Sequence, residues 1–251
     1  MSSFEQNILY ITGAGVSVES GIPTFRGEDG YWTIGSVNYT PQEMATRQMY
    51  QTDPEQFLQW YYKRFAAYRD HGPNDVHYWL ADKNLITQNI DGLDGKAGNK
   101  DYIAIHGRLD QMTLFHHQGD DVKTFTTPWD KVDENNLSTS LLEIFNIEKG
   151  SEPIIDQSYK PFVLLFDEFY TELYRISEAQ QRMLNADKII FIGTSFSVNI
   201  TQMALEIASG RNIAIEVVDP KPVKIAYDKV TYHEMKASEY IEYLGSVSDN
   251  T

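Results

Sequence analysis

Short apolar runs, each closed by a polar or glycine-bearing segment, recur along the chain. Residues 7–12 form one such run and end in Gly13-Ala14-Gly15, which predicts a buried strand entering a tight turn and then a helix. Residues 84–87, 102–105, 162–166, 188–192 and 213–218 repeat the strand pattern, mostly with β-branched or aromatic residues. Helices are predicted between them, over residues 54–70, 75–83, 169–185 and 201–209. Pro54 suits a first helical turn with Asp53 as its cap, and Phe57, Trp60, Tyr61, Arg64 and Phe65 recur at helical spacing. This alternation predicts an α/β fold, a Rossmann-like domain around a mainly parallel sheet.

Two stretches break the alternation. Residues 28–75 are aromatic-rich and mainly helical in pattern, and residues 110–159 are polar and weakly periodic. They are expected to form a smaller helical or irregular module inserted in the larger unit. The expected division is 1–27, 76–109 and 160–251 for the Rossmann-like domain, against 28–75 and 110–159 for the module.

Composition changes the picture by exclusion. The 251 residues carry 21 Lys+Arg against 36 Asp+Glu, a formal net charge of −15, and no cysteine. Disulfides, a thiolate nucleophile and a Cys-ligated zinc are therefore excluded. The acidic balance argues against a general nucleic-acid binder, which needs a basic surface to displace counterions. The start has neither the basic nor the long apolar region of a secretory signal, and the apolar runs fall short of the roughly 20 residues that span a bilayer. The expectation is a cytoplasmic protein with no membrane partner, and the oligomeric state stays open.

Candidate chemistry begins at the first turn. Backbone amides of Gly13, Ala14 and Gly15 can cradle a pyrophosphate. The usual third glycine is absent, because Val18 stands in its place, and a plain glycine turn explains these residues equally well. The following Ser20-Gly21-Ile22-Pro23-Thr24-Phe25-Arg26-Gly27 changes the reading. Gly13 to Gly27 matches GAGxSxxSGIPxFRG, Pro73 to Leu80 looks like PNxxHxxL, and Thr87 to Leu93 matches TQNxDxL. Ile105-His106-Gly107 and Gly193-Thr194-Ser195 match (L/I)HG and GTS. In this order over residues 7 to 220, the set resembles the sirtuins, NAD-dependent protein deacylases.

The resemblance implies NAD as cofactor, held by Gly13, Ala14, Gly15, Ser17, Ile22, Phe25, Arg26, Gln88, Asn89, Asp91, Gly193, Thr194, Ser195 and Asp219. Asp219 stands where many sirtuins carry asparagine. A carboxylate at a strand end can accept from both ribose hydroxyls and repel a 2′-phosphate, so NAD is expected over NADP. The resemblance also implies that His106 takes a proton from the ribose after the acyl oxygen has displaced nicotinamide, with Asn89 as its catalytic partner. A base titrating near neutrality suits that step. The partner implied is an acylated-lysine protein or peptide, met by Phe166 and Glu168 in a strand-pairing segment.

Tyr61 and Arg64 share a helix face at a Tyr-x-x-Arg spacing that resembles the branch removing succinyl, malonyl or glutaryl groups, in which such a pair reads the acyl carboxylate. The bland alternative is a core tyrosine beside a solvated arginine. The chain departs from the family in lacking the CxxC pairs that hold a structural zinc, so the module is expected without metal. His116 and His117 are adjacent and point apart on most backbones, while Phe115, Phe125, Trp129, Leu141, Leu142 and Phe145 offer an apolar core instead. Asp167 replaces the glycine of the peptide-pairing segment. Readings left open are an NAD-cleaving hydrolase, a mono-ADP-ribosyltransferase and a non-enzymatic NAD sensor.

Overall fold

The computed structural model describes residues 6–24 and 40–248. Its larger sheet takes five strands from the predicted runs: β1 Ile8–Thr12, β2 Asn84–Thr87, β3 Ile103–Ala104, β7 Lys188–Ile192 and β8 Ala214–Val218. A further strand, β9 Val230–His233, closes the edge, giving the order β3-β2-β1-β7-β8-β9, parallel throughout. The chain leaves β1 toward β2 on one side and resumes at β7 on the other, so a topological switch point lies at the carboxyl ends of β1 and β7. Leu9 and Ile11 with Ile189 and Phe191 face one buried layer; Tyr10 with Ile190 and Ile192 face the other. Two-sided burial explains why these strands read as continuous apolar runs.

The second sheet is antiparallel, with β4 Gly107–Leu114 between β5 Thr124–Thr126 and β6 Tyr159–Val163. Its strands include residues 107–109 and 160–163, which the pattern assigned to the Rossmann-like domain. Pro161 is tolerated because β6 lies at a sheet edge. The alternation of β4 is unreadable in sequence because its pairing slips between Arg108 and Met112, shifting which face each side chain occupies.

Helices α1 Pro41–Met44, α2 Arg47–Thr52, α3 Pro54–Tyr68 and α6 Leu137–Ile144 pack on this sheet. Asp53 caps α3 as predicted, accepting from Gln56 N–H at 3.0 Å, with Pro54 in the first turn. Phe57, Trp60 and Tyr61 enter a core with Tyr50, Phe115, Trp129, Leu141, Leu142 and Phe145. Phe125, expected in that core, is 44% exposed because β5 is a short outer strand. His116 is buried and His117 exposed, and among the described residues no group of three His, Asp or Glu side chains is placed to hold a metal.

The remaining helices are α4 Asp75–Trp79, α5 Leu93–Lys96, α7 Ile176–Asn185, α8 Asn199–Arg211 and α9 Ala237–Ser248. The predicted helix over 169–185 begins only at Ile176: Arg175 adopts φ +56°, and Phe169 and Tyr170 are held by contacts outside any helix. The helix expected after Gly13 is a 3-10 helix, Ala14–Ser20, closed by Gly21 at φ +82°. Among the described residues no helix is long and apolar enough to cross a membrane.

Candidate active site

The loops leaving β1 and β7 interlock at the switch point. Gly13 donates to Ile192 O at 3.0 Å, Gly15 to Gly193 O at 2.9 Å, and Gly193 to Val218 O at 2.9 Å. A Cβ on Gly15 would stand 2.5 Å from Gly193 Cα, and Gly193 itself has φ +62°. Backbone therefore packs on backbone, and no other residue fits. Thr194 beside it is buried and receives the Gln88 side-chain amide at 3.1 Å, while a second Gln88 bond reaches Thr12 O at 3.1 Å. Ser195 is exposed, with its hydroxyl 2.6 Å from that of Ser197.

Beneath this interlock the carboxyl end of β2 delivers Asn89 and Asp91. Asn89 Nδ2 donates to Gly13 O at 3.1 Å and to Ser17 Oγ at 3.2 Å, and Ser17 donates to Asp91 Oδ2 at 2.7 Å. The PNxxHxxL residues supply the support. Asn74 and His77 form the capping box of α4 and bring His77 Nε2 to 3.5 Å from Ser17 Oγ. Ala14, Ser17, Ile22, Arg64, Asn89 and Asp91 line one pocket. Asn89 Oδ1 is buried there with no protein partner, an acceptor suited to a carboxamide or hydroxyl donor of a dinucleotide.

His106 occupies the two-residue turn between β3 and β4, where the chain crosses from one sheet to the other. Gly107 makes this crossing possible: it has φ +80°, and a Cβ would fall 2.1 Å from Phe162 O. Leu164 N–H donates to His106 O at 2.9 Å and fixes the turn from the other side. His106 Nδ1 lies 2.9 Å from Gln88 O; a carbonyl only accepts, so Nδ1 carries the proton and Nε2 holds the lone pair. Tyr170 donates to Nε2 at 3.0 Å. Burial pushes the imidazole down to about 4, against the opposing pull of the Gln88 carbonyl, so His106 is neutral at physiological pH.

The other predicted residues fall into three groups. Asp219 ends β8 beside Gly193, with Oδ1 accepting from Lys221 N–H at 2.8 Å. Arg64 is buried and lines the pocket, its Nη1 donating to Trp60 O at 2.8 Å, so it is not the solvated charge of the bland alternative. Tyr61 packs between Phe57 and Trp60 in the core. Phe166 is 52% exposed and its N–H donates to Ala45 O, while the Glu168 carboxylate is buried between Lys160 at 3.3 Å and Arg47 at 3.1 Å. Phe25 and Arg26 lie outside the described residues.

Two residues beside the site carried no reading in the sequence. Asp94, buried in α5, is pushed up to about 7 by burial and then by Asp91, with a Thr87 hydrogen bond opposing. Its place just after the TQNxDxL residues, as a second carboxylate, was the available signal. Tyr170 had none, because a tyrosine within a predicted helix indicates nothing about a histidine far away in sequence.

A profile of the Sir2 family matches residues 13–200. The NAD-dependent protein deacetylase of Sulfurisphaera tokodaii is 34% identical over 199 residues, covering 76% of this chain and 70% of that protein. An NAD-dependent protein deacylase of Bacteroides thetaiotaomicron is 29% identical over 247 residues, covering 95% and 96%. Among solved structures, a Sir2 homolog–NAD complex is 30% identical with a TM-score of 0.70, covering 96% of this chain and 88% of that one. A mutant Sir2 homologue–ADP ribose complex has a TM-score of 0.72 at 29% identity, covering 96% and 91%. With the switch-point glycines, the Asn89–Ser17–Asp91 cluster and the histidine turn in family order, and the profile spanning most of its length, this chain belongs to the Sir2 family.

Proposed function

We infer that the chain is an NAD-dependent protein-lysine deacylase that releases nicotinamide and forms O-acyl-ADP-ribose. The observation that carries this reading is the neutral His106, fixed by Gln88 O on Nδ1 with its lone pair on Nε2, on the loop system that also presents Asn89. NAD, when bound, supplies an anomeric carbon from which nicotinamide departs. Gly13, Gly15 and Gly193, whose own N–H groups are spent on the interlock, let the backbone approach the dinucleotide closely, Ala14, Thr194 and Ser195 line it with backbone and hydroxyl groups, and Asp219 accepts from an adenosine ribose. Ser17, Gln88, Asn89 and Asp91 shape the nicotinamide end, where Asn89 Oδ1 has an acceptor to offer. Ile22 walls the pocket. His106 accepts the proton of a ribose hydroxyl, and preorganised dipoles stabilise the charge that develops. Phe166 lies on the exposed face where the peptide docks. Since NAD is an intracellular molecule, we place the enzyme in the cytoplasm.

The test is product analysis with and without an acetyl-lysine peptide. Nicotinamide release that requires peptide, yields acyl-ADP-ribose and is lost in His106→Ala supports the reading. Free ADP-ribose formed without peptide would indicate an NAD hydrolase, a labelled protein acceptor an ADP-ribosyltransferase, and NAD binding without turnover a sensor. A second reading concerns the acyl group. The buried guanidinium of Arg64 in the pocket wall favours a carboxylate-bearing acyl chain. Arg64→Met is then expected to lower turnover of succinyl-lysine more than of acetyl-lysine, and equal loss on both peptides refutes it.

A further inference from the structure

The lone pair of His106 Nε2 is already engaged. Nδ1 is committed to Gln88 O, and Nε2 accepts the Tyr170 hydroxyl at 3.0 Å with the two rings nearly parallel, 17° apart. With its proton committed to Nε2, the phenol oxygen keeps lone pairs able to accept from another donor.

We propose that Tyr170 is a catalytic proton relay: His106 draws the ribose proton through the phenol rather than by direct contact. Tyr170 Oη takes the proton of the sugar hydroxyl while its own proton passes to His106 Nε2. The phenol ends unchanged and the imidazole ends protonated. The sugar oxygen uses the freed electron pair to bond to the acyl carbon, and the carbon–nitrogen π pair of that acyl group moves onto the lysine nitrogen. The protein half of the relay, Tyr170 Oη and His106 Nε2, is already in hydrogen-bond contact at 3.0 Å. The phenol's own titration is pushed up to about 12 by burial, so it stays protonated and relays without ionising in the resting state.

The proposal rests on the deacylase reading, and one assay separates the two. With the full chain, NAD and an acetyl-lysine peptide, two rates are measured: peptide-dependent exchange of labelled nicotinamide into NAD, which precedes the base, and formation of acyl-ADP-ribose, which requires it. Tyr170→Phe is expected to keep exchange and NAD affinity and to lose product formation by about 100-fold. Wild-type product formation is expected to show a solvent proton inventory with two protons in flight, and the residual Phe activity only one. Product formation at the wild-type rate in Tyr170→Phe, or a single-proton inventory in the wild type, overturns the relay alone. Absence of peptide-dependent exchange in the wild type overturns the deacylase reading and the relay with it. Should Tyr170→Phe fail to fold, 3-fluorotyrosine at position 170 serves, since its more acidic phenol is expected to move the alkaline limb of kcat downward; an unmoved limb overturns the relay.

Discussion

At the scale of single residues, environment outweighs type. His106 was expected to titrate near neutrality, yet burial holds it at about 4. Its pH consequence has a definite sign: between about 4 and the ordinary histidine value of about 6.5 the unfolded chain binds more protons, so stability rises with pH across that window. His106→Ala is expected to flatten that segment of the pH–stability curve measured by urea unfolding. Asp94 has the opposite sign. Its carboxyl is raised to about 7, so the folded state holds the extra proton and stability falls as pH rises from about 4 to 7. Asp94→Asn is therefore expected to stabilise the protein at pH 8 and to change little at pH 4, where acid and amide are both neutral. Among the described glycines Gly107 is the most constrained, with positive φ and a Cβ site 2.1 Å from Phe162 O. Gly107→Ala is expected to cost about 2 kcal/mol or more and to displace His106, read as lost stability together with lost turnover.

At the scale of elements, the segment after β6 shows how a departure from the family pattern is absorbed. Asp167 takes no left-handed backbone among the positive-φ residues described, so the glycine it replaces is not needed for conformation. Its carboxylate instead accepts from the Arg47 and Gln48 N–H groups and caps α2. Next to it, Glu168 neutralises Lys160, whose ammonium is 1% exposed and also donates to Val163 O. Removing the carboxylate leaves a buried cation, so Glu168→Ala is expected to cost about 3 kcal/mol in chemical denaturation. Lys160→Met with Glu168→Leu is expected to recover most of that loss, because the cost lies in the unpaired charge rather than in the absent bond. The pairing of Gly107 with Val163 and the bond from Leu164 N–H to His106 O fix the histidine turn, which is why these irregular strands matter more to the site than their length implies.

At the scale of the whole molecule, the two sheets meet at the histidine turn, and the smaller one is held by aromatic packing. Phe115, Trp129 and Phe145 are buried with Tyr50 and Phe57, each contributing roughly 1.5–3 kcal/mol by leaving water. Prolonged EDTA treatment is expected to leave the melting temperature unchanged; a fall that added zinc reverses would show that a metal holds the module. The acidic net charge of −15 leaves the fold to packing and acts on association, so binding of a lysine-rich peptide is expected to weaken as salt is raised.

Sequence alone determined the parallel sheet, because strands buried on both faces must be apolar throughout; the glycine, Asn-x-Asp and His-Gly positions were legible through their likeness to the family motifs, since in isolation Asn-x-Asp-Gly reads as a turn and a lone histidine as structural. Asp53 and Pro54 likewise announced the start of α3 through local hydrogen bonding. Interactions distant in sequence were decided only by the tertiary structure. The slip in β4 hid its alternation, Tyr170 left its predicted helix for a histidine 64 positions earlier, and Arg64 was carried inward to the pocket wall. A periodic pattern reports which face of an element is apolar; it carries no information about which polar group waits on the opposing element, and at this site that group engages the lone pair of the base while burial sets its charge state.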